Sequence, residues 1–286
     1  MNKPLRFAAI LLGALFAGAP VARAGVVVSA SGNTAVADIS LSAAGHTYAA
    51  QVTIAFDSAQ NLNPAELNLS AQLVDPMDPG LLSRLPACLS PLLGCVTVDP
   101  NFPVLITVEP LNLGAGNLSF RNTYEFEVHT ANLTYVPYSK YRLDKAPVNG
   151  AFADTTDAVE SGSVRARGRG GSFSQFLVVS DTRGSLTVEI GKDTALKLRI
   201  LSSVLNGNLL NNLLGLLGNV ESAVALHNYA LAISNLDQLI NTIQANAGTT
   251  IANNWNANHL IANDAGDMLS LAQTLRFTLV RLQNGH

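Results

Sequence analysis

Three arginines, Arg165, Arg167 and Arg169, alternate with small residues in a run that ends Gly170-Gly171. Alternate side chains of an extended strand share a face. Three guanidinium forks would therefore project together, a geometry suited to sulfate, phosphate or the carboxylates of an acidic glycan. The neighbouring glycines would let the segment adapt to such a ligand. The ordinary alternative is a charged strand edge that discourages edge-to-edge pairing. Just upstream, Asp154, Asp157 and Glu160 follow Asp144. Paired carboxylates can move protons in hydrolysis or hold calcium, but this spacing fits no calcium loop, and an ordinary loop accounts for it.

The remaining chemistry-bearing residues are sparse. The histidines are His46, His129, His227, His259 and His286, no two within one helical repeat of each other, and no metal site is expected. A Gly-x-Ser-x-Gly elbow, a phosphate loop and a dinucleotide fingerprint are all missing from the sequence, so no cofactor is expected. The two cysteines, Cys88 and Cys95, flank a short Leu/Pro/Gly loop. In an oxidising compartment they form a disulfide. Closing so short a loop is worth about 2.5 kcal/mol on the chain-entropy estimate, enough to tether a loop and not to hold a fold together.

The N-terminus supplies that compartment. Lys3 and Arg6 precede an apolar run over residues 7–19, and Ala22-Arg23-Ala24 offers small residues at alternate positions. This is the three-part anatomy of a cleavable export signal over residues 1–24. The run is too short to span a bilayer and is broken by Gly13, Gly18 and Pro20. Cleavage of the 286-residue chain would leave 262 residues carrying 14 basic and 20 acidic groups, a net charge of −6. That sign disfavours a general nucleic-acid binder. No later stretch is a transmembrane segment, because the Leu-rich run over residues 205–217 is broken by four asparagines. A secreted or periplasmic protein is expected. The apolar share of 48% excludes charge-driven disorder.

Two periodicities divide the chain beyond the signal. Over residues 25–191 apolar residues alternate, as in Tyr48, Ala50, Val52, Ile54 and Phe56, or Leu67, Leu69, Ala71 and Leu73. Residues 118–128, 173–179 and 186–190 repeat the theme, with Gly, Pro and Asn clusters between them. Short strands without helical interludes predict an antiparallel β-sandwich. Residues 75–103, with six prolines and the cysteine pair, read as a long stapled insertion. From residue 192 to 286 the step becomes four and three. Leu210, Leu213, Leu217, Val220 and Val224 form one seam, and Tyr229, Ile233, Leu236, Ile240 and Ile243 a second. Ile261, Ala265, Met268, Ala272, Leu275, Leu279 and Leu282 form a third, and Gly248 supplies the break between the last two. Three such seams predict a small antiparallel helical bundle and an α+β fold class.

The run Ala232-Ile233-Ser234-Asn235-Leu236-Asp237-Gln238-Leu239-Ile240, then Gly248 and Ile251, then Ala257-Asn258-His259-Leu260-Ile261-Ala262, resembles the FIMAH/FIVAR-type helical modules of secreted bacterial proteins. Asn228-Tyr229 departs from the Gly-Asp that the family carries before its central helix. The resemblance covers about the last third of the chain. It implies a helical stretch over residues 257–262 and a binding or spacer role at the cell surface, without catalysis. The leading functional expectation is an exported non-enzymatic binding or scaffolding protein that recognises glycans or other anionic surface polymers. The alternatives are an exported hydrolase of glycan or ester bonds, with the carboxylates of residues 154–160 as its catalytic groups, and a self-associating surface protein.

Overall fold

The computed structural model describes residues 23–88, 94–114 and 116–286. Most of the expected export signal, residues 1–22, and the middle of the loop between the cysteines lie outside the described residues. The chain opens with three long strands, β1 (Arg23–Ser31), β2 (Thr34–Ala43) and β3 (His46–Gln60). A one-turn helix α1 (Pro64–Leu67), strand β4 (Leu69–Leu73), a second short helix α2 (Pro79–Leu82), and strands β5 (Val96–Val98) and β6 (Val104–Val108) follow. Then come β7 (Ser119–Thr134), β8 (Tyr141–Ala146), β9 (Ala153–Asp154), β10 (Thr156–Glu160), β11 (Ser163–Gly170) and β12 (Gln175–Asp181). Helices α3 (Ser185–Ser202), α4 (Gly207–Ala225) and α5 (Tyr229–Asn246), the two-residue strand β13 (Trp255–Asn256) and helix α6 (Asp264–Gln283) complete the chain.

The strands form two antiparallel sheets. One runs β1-β2-β3-β7-β11-β10 with β13 beside β7, the other β4-β6-β12-β8-β9 with β5 beside β12. The β2–β3 hairpin closes through Ala44 and Gly45, whose φ values of 50° and 81° are the left-handed pair that a tight two-residue hairpin turn requires. Alternation in β3 puts Val52, Ile54 and Phe56 inward, where they share one apolar core with Ile106, Phe176 and Val178 of the other sheet. The Phe126 and Phe176 rings stack across it with centroids 3.8 Å apart. The expected export cleavage after Ala24 would fall within β1, since Arg23 and Ala24 already pair with Ser42 and Leu41.

A second core joins α3, α4, α5 and α6 through Leu196, Leu213, Leu217, Leu236, Ile240, Met268 and Leu275. The seams expected for α4 and α5 lie on this core, and Gly248 closes α5 at φ 77°.

Three local expectations are corrected. Residues 186–190 are the first turns of α3 and not a strand, so strands give way to helices between Asp181 and Ser185, ahead of residue 191. Residues 257–262 are not helical: Trp255 pairs with Phe120 of β7 and is buried against it, which draws this stretch onto the sheet. Leu260 and Ile261 are consequently exposed, and α6 begins three residues later. Leu67 ends α1 and does not begin a strand, because Pro64 and the Asn63 cap, which accepts from the Glu66 N–H, set up one helical turn there.

Candidate functional site

β11 does place Arg165, Arg167 and Arg169 on one face, alternating with buried Val164, Ala166 and Gly168. The neighbouring strands bring carboxylates to each of them. Arg165 pairs with Glu127 of β7 at 3.3 Å. Arg167 meets Glu125 at 3.7 Å, Asp157 of β10 at 3.4 Å and Glu160 at 3.2 Å. Arg169 forms the tightest contacts, 2.8 Å to Glu125 and 2.9 Å to Asp157. Burial lowers the Arg167 pKa, but Glu125, Asp157 and Glu160 more than offset it and hold the guanidinium above its ordinary value. Three cations thus face four carboxylates. The face is an ion-pair ladder across three strands and presents no excess positive charge.

The glycines of this run have a packing role. A Cβ on Gly168 would strike the Thr155 carbonyl, one on Gly170 the Tyr124 hydroxyl, and one on Gly171 the backbone where Gly266 joins Asp267. They let β11 approach β10, β7 and the start of α6 closely. The adaptable segment anticipated from their number is a tightly packed strand.

Where β3, β7, β11, α5 and α6 meet, a cleft of about 320 Å³ opens, lined by Asp57, Asn122, Thr123, Arg169, Gln244, Leu269 and Gln273. A register shift in the β3–β7 pairing sets its geometry: Phe56 pairs with Tyr124 but Ser58 with Arg121, so Asn122 and Thr123 together oppose Asp57. Such bulges re-aim side chains. Asn122 takes φ 57°, a left-handed conformation that asparagine tolerates. Asp57 Oδ2 accepts from the Thr123 N–H at 3.1 Å and from its hydroxyl at 3.0 Å. The other backbone groups freed by the bulge are met from the helical segment. Asn253 Oδ1 accepts from the Asn122 N–H at 2.7 Å, and Asn263 Nδ2 donates to the Asn122 carbonyl at 2.7 Å. Of the cleft residues only Arg169 was a sequence candidate. The others carry no spacing signal, because the bulge that gathers them depends on pairing between distant strands.

The remaining carboxylate candidates divide. Asp157 and Glu160 belong to the ladder. Asp154 is buried with Lys192 Nζ 2.7 Å from its Oδ2, and the same ammonium donates to the Thr274 carbonyl at 3.0 Å and the Thr278 hydroxyl at 2.9 Å. Burial raises the Asp154 pKa, but Lys192 and Arg142 outweigh it and hold the carboxylate below its ordinary range. Asp144, opposite Asp154 in the β8–β9 pair, is pushed well above its usual value by burial and then by Asp154 and Asp181. The acidic pattern that read as a loop is thus split between an outer ladder and a buried charge cluster beneath α3 and α6.

Cys88 and Cys95 form the expected disulfide. His129 hydrogen-bonds Ser163 at the end of the ladder, and His259 sits in a left-handed turn with its ring against Trp255. Among the described residues no group of three or more His, Cys, Asp or Glu side chains is arranged to hold a metal ion. No described helix is long and apolar enough to cross a membrane. A family model described as "Family of unknown function (DUF6689)" matches residues 10–283. No curated protein and no solved structure matches the chain.

Proposed function

The chain belongs to that family, DUF6689, and we propose that it is an exported, non-enzymatic binding protein for a hydroxyl-rich ligand of the glycan class. The observation that carries this reading is the cleft beside Asp57. A carboxylate, a guanidinium and three side-chain amides converge there from both the sheet and the helices. The Gln244 and Gln273 amides can each satisfy vicinal hydroxyls from rigid helices, while Asp57, Asn122 and Arg169 are fixed by their own partners and form the polar wall opposite them. The ladder argues against a preference for anionic polymers, since its guanidinium groups are already paired with carboxylates. The same pairing, with that of Asp154 to Lys192, favours binding over hydrolysis, because the carboxylates expected to move protons are committed to cations.

In this reading an antiparallel β-sandwich forms the frame and a helical bundle packs against one of its faces to wall the cleft. Export to the periplasm or beyond rests on the signal anatomy of residues 1–24, and the FIMAH/FIVAR resemblance of α5 belongs to the same proposal. A glycan array probed with the mature protein, followed by calorimetry on the best binder, tests it. Neutral oligosaccharides should be retained at least as well as sulfated ones. The Gln244→Ala/Gln273→Ala double variant should lose affinity by fivefold or more while its melting temperature stays put. Failure of every glycan to bind, or equal binding by the double variant, would reject the assignment.

A further inference from the structure

A second site lies away from the sheets, between α3 and α4. A groove of about 400 Å³ is walled by the apolar side chains of Leu186, Ile190, Val224 and Ala225. Leu186 and Ile190 are largely exposed although they lie on a helix whose other face is packed. Glu189, Asp193 and Glu221 also line the groove, and His227 stands at its end. Asp193 is 9% exposed and Glu189 3%, and Asp193 Oδ1 is buried with no hydrogen-bond partner. The cation beside them, Lys197, is engaged with Glu221 at 2.8 Å. Three carboxylates therefore cluster beside the Lys197 ammonium, and among the described residues no proton donor reaches the buried Oδ1 of Asp193. An unpaired buried polar atom is costly, and a buried charge without a counter-charge more so.

We infer that this groove binds a small organic cation with an apolar body, its ammonium or amidinium group meeting Asp193 and its hydrocarbon part lying along Leu186 and Ile190. Pockets of this size, mostly apolar with a few converging polar groups, are the usual form of small-molecule sites. The volume alone would not choose a ligand. The charge does, because a neutral or anionic molecule would leave the carboxylates as they are. The protonation state agrees with this assignment. Burial, then the charges of Glu221 and Glu189 and a hydrogen bond to Glu221 push the Asp193 carboxyl up to about 7, with Lys197 pulling the other way. Without a ligand Asp193 thus keeps a proton near neutrality, and an incoming cation displaces it. The glycan assignment is independent of this site, which shares no lining residue with the cleft.

Calorimetry of the mature protein with octylammonium below its micellar concentration, and with 1-octanol and octanoate as neutral and anionic controls, tests the inference. Octylammonium should bind and the controls should not. Its affinity should rise up to about tenfold from pH 6 to pH 8, as the ionised fraction of a group titrating near 7 rises by that factor. Repeating the titration in buffers of different ionisation enthalpy should reveal proton release at pH 6.5. Asp193→Asn should remove most of the affinity and reduce the pH dependence to what Glu189, itself raised by burial and Glu221, contributes. Ile190→Ser, at an exposed position that leaves folding intact, should weaken binding and keep the pH dependence. The inference is overturned if octylammonium fails to bind at pH 8 or if 1-octanol binds as well. Unchanged binding by a folded Asp193→Asn protein or by Ile190→Ser would overturn it too.

Discussion

The side-chain amide of Asn263 donates to the carbonyl oxygens of both Asn122, at 2.7 Å, and Gly171, at 3.1 Å, while its Oδ1 accepts from the Gly266 N–H at 3.0 Å. One side chain therefore caps α6 and joins that helix to β7 and to the end of β11. Helix and sheet cannot separate without exposing two backbone carbonyls and an uncapped helix start. The cleft wall formed by α6 is consequently fixed relative to Arg169 and Asp57.

Replacing Asn263 with alanine should therefore cost more than an ordinary cap. Loss of the cap alone is worth about 1 kcal/mol, and each lost hydrogen bond to a buried carbonyl adds about 1 kcal/mol. A decrease of roughly 2–3 kcal/mol in urea unfolding is expected. Asn263→Asp should keep the cap but turn a buried carboxylate oxygen toward two carbonyl oxygens, so it should be at least as unstable as the alanine variant. An alanine variant as stable as the parent protein would show that the junction is held elsewhere.

Lys192 and Asp154 make a second junction, between α3 and the other sheet. Truncating one member of a buried ion pair leaves an uncompensated charge and costs about 3–5 kcal/mol. Lys192→Met should show a loss of that order. The Lys192→Met/Asp154→Asn double variant should recover part of it, because the carboxylate left behind is gone. Equal stability of the single and double variants would mean that Asp154 draws its compensation from Arg142 alone.

That pair also explains what the sequence hid. The buried face of α3 is Val188, Glu189, Lys192, Asp193, Leu196 and Ile200, half of it charged, whereas Leu186 and Ile190 point outward. Apolar residues at 186, 188 and 190 thus mimic a strand, and the true helical period runs through residues that composition marks as surface. Strands β3, β4 and β7 and helices α4 and α5 were legible because apolar residues recur along their buried faces at a strand or a helix spacing. The arginine face was legible too, since alternation alone sets it. Its partners were not, because Glu125 and Glu127 lie about forty residues upstream and only strand pairing brings them opposite. The Trp255 strand was hidden for the same reason, being two residues long and specified by one aromatic side chain that fits the core.

Asp144 should make stability fall as pH rises. Its folded pKa lies well above the unfolded value because burial, Asp154 and Asp181 all oppose its charge. The native state therefore holds a proton that the unfolded chain releases near pH 4. The stabilisation is complete below that unfolded value and is lost as pH climbs through the folded one. Asp144→Asn cannot ionise. It should match the parent protein in mild acid and exceed it at pH 8 by about 1–3 kcal/mol, the range for an unsatisfied buried polar group. Thermal melts of both proteins from pH 4.5 to pH 8 give the comparison, and parallel curves would place a compensating cation on Asp144 after all.

Two glycines in different surroundings should respond oppositely to the same change. A Cβ on Gly171 would lie within 3 Å of the Gly266–Asp267 backbone, and backbone cannot swing aside as a flexible side chain does. Gly171→Ala must push α6 off β11 and disturb the amide bonds of Asn263, so a loss of roughly 2–3 kcal/mol is expected, in the range of overpacking. Gly191 sits in the middle of α3, where an added methyl group would meet nothing within 4 Å. There alanine only restricts the unfolded chain and improves helix propensity, and Gly191→Ala should gain about 0.5–1 kcal/mol. Chemical denaturation of both variants against the parent protein measures the difference in sign. If Gly171→Ala is neutral, the close approach of strand and helix at the cleft is wrong. If Gly191→Ala destabilises, residues 185–202 do not form a continuous helix.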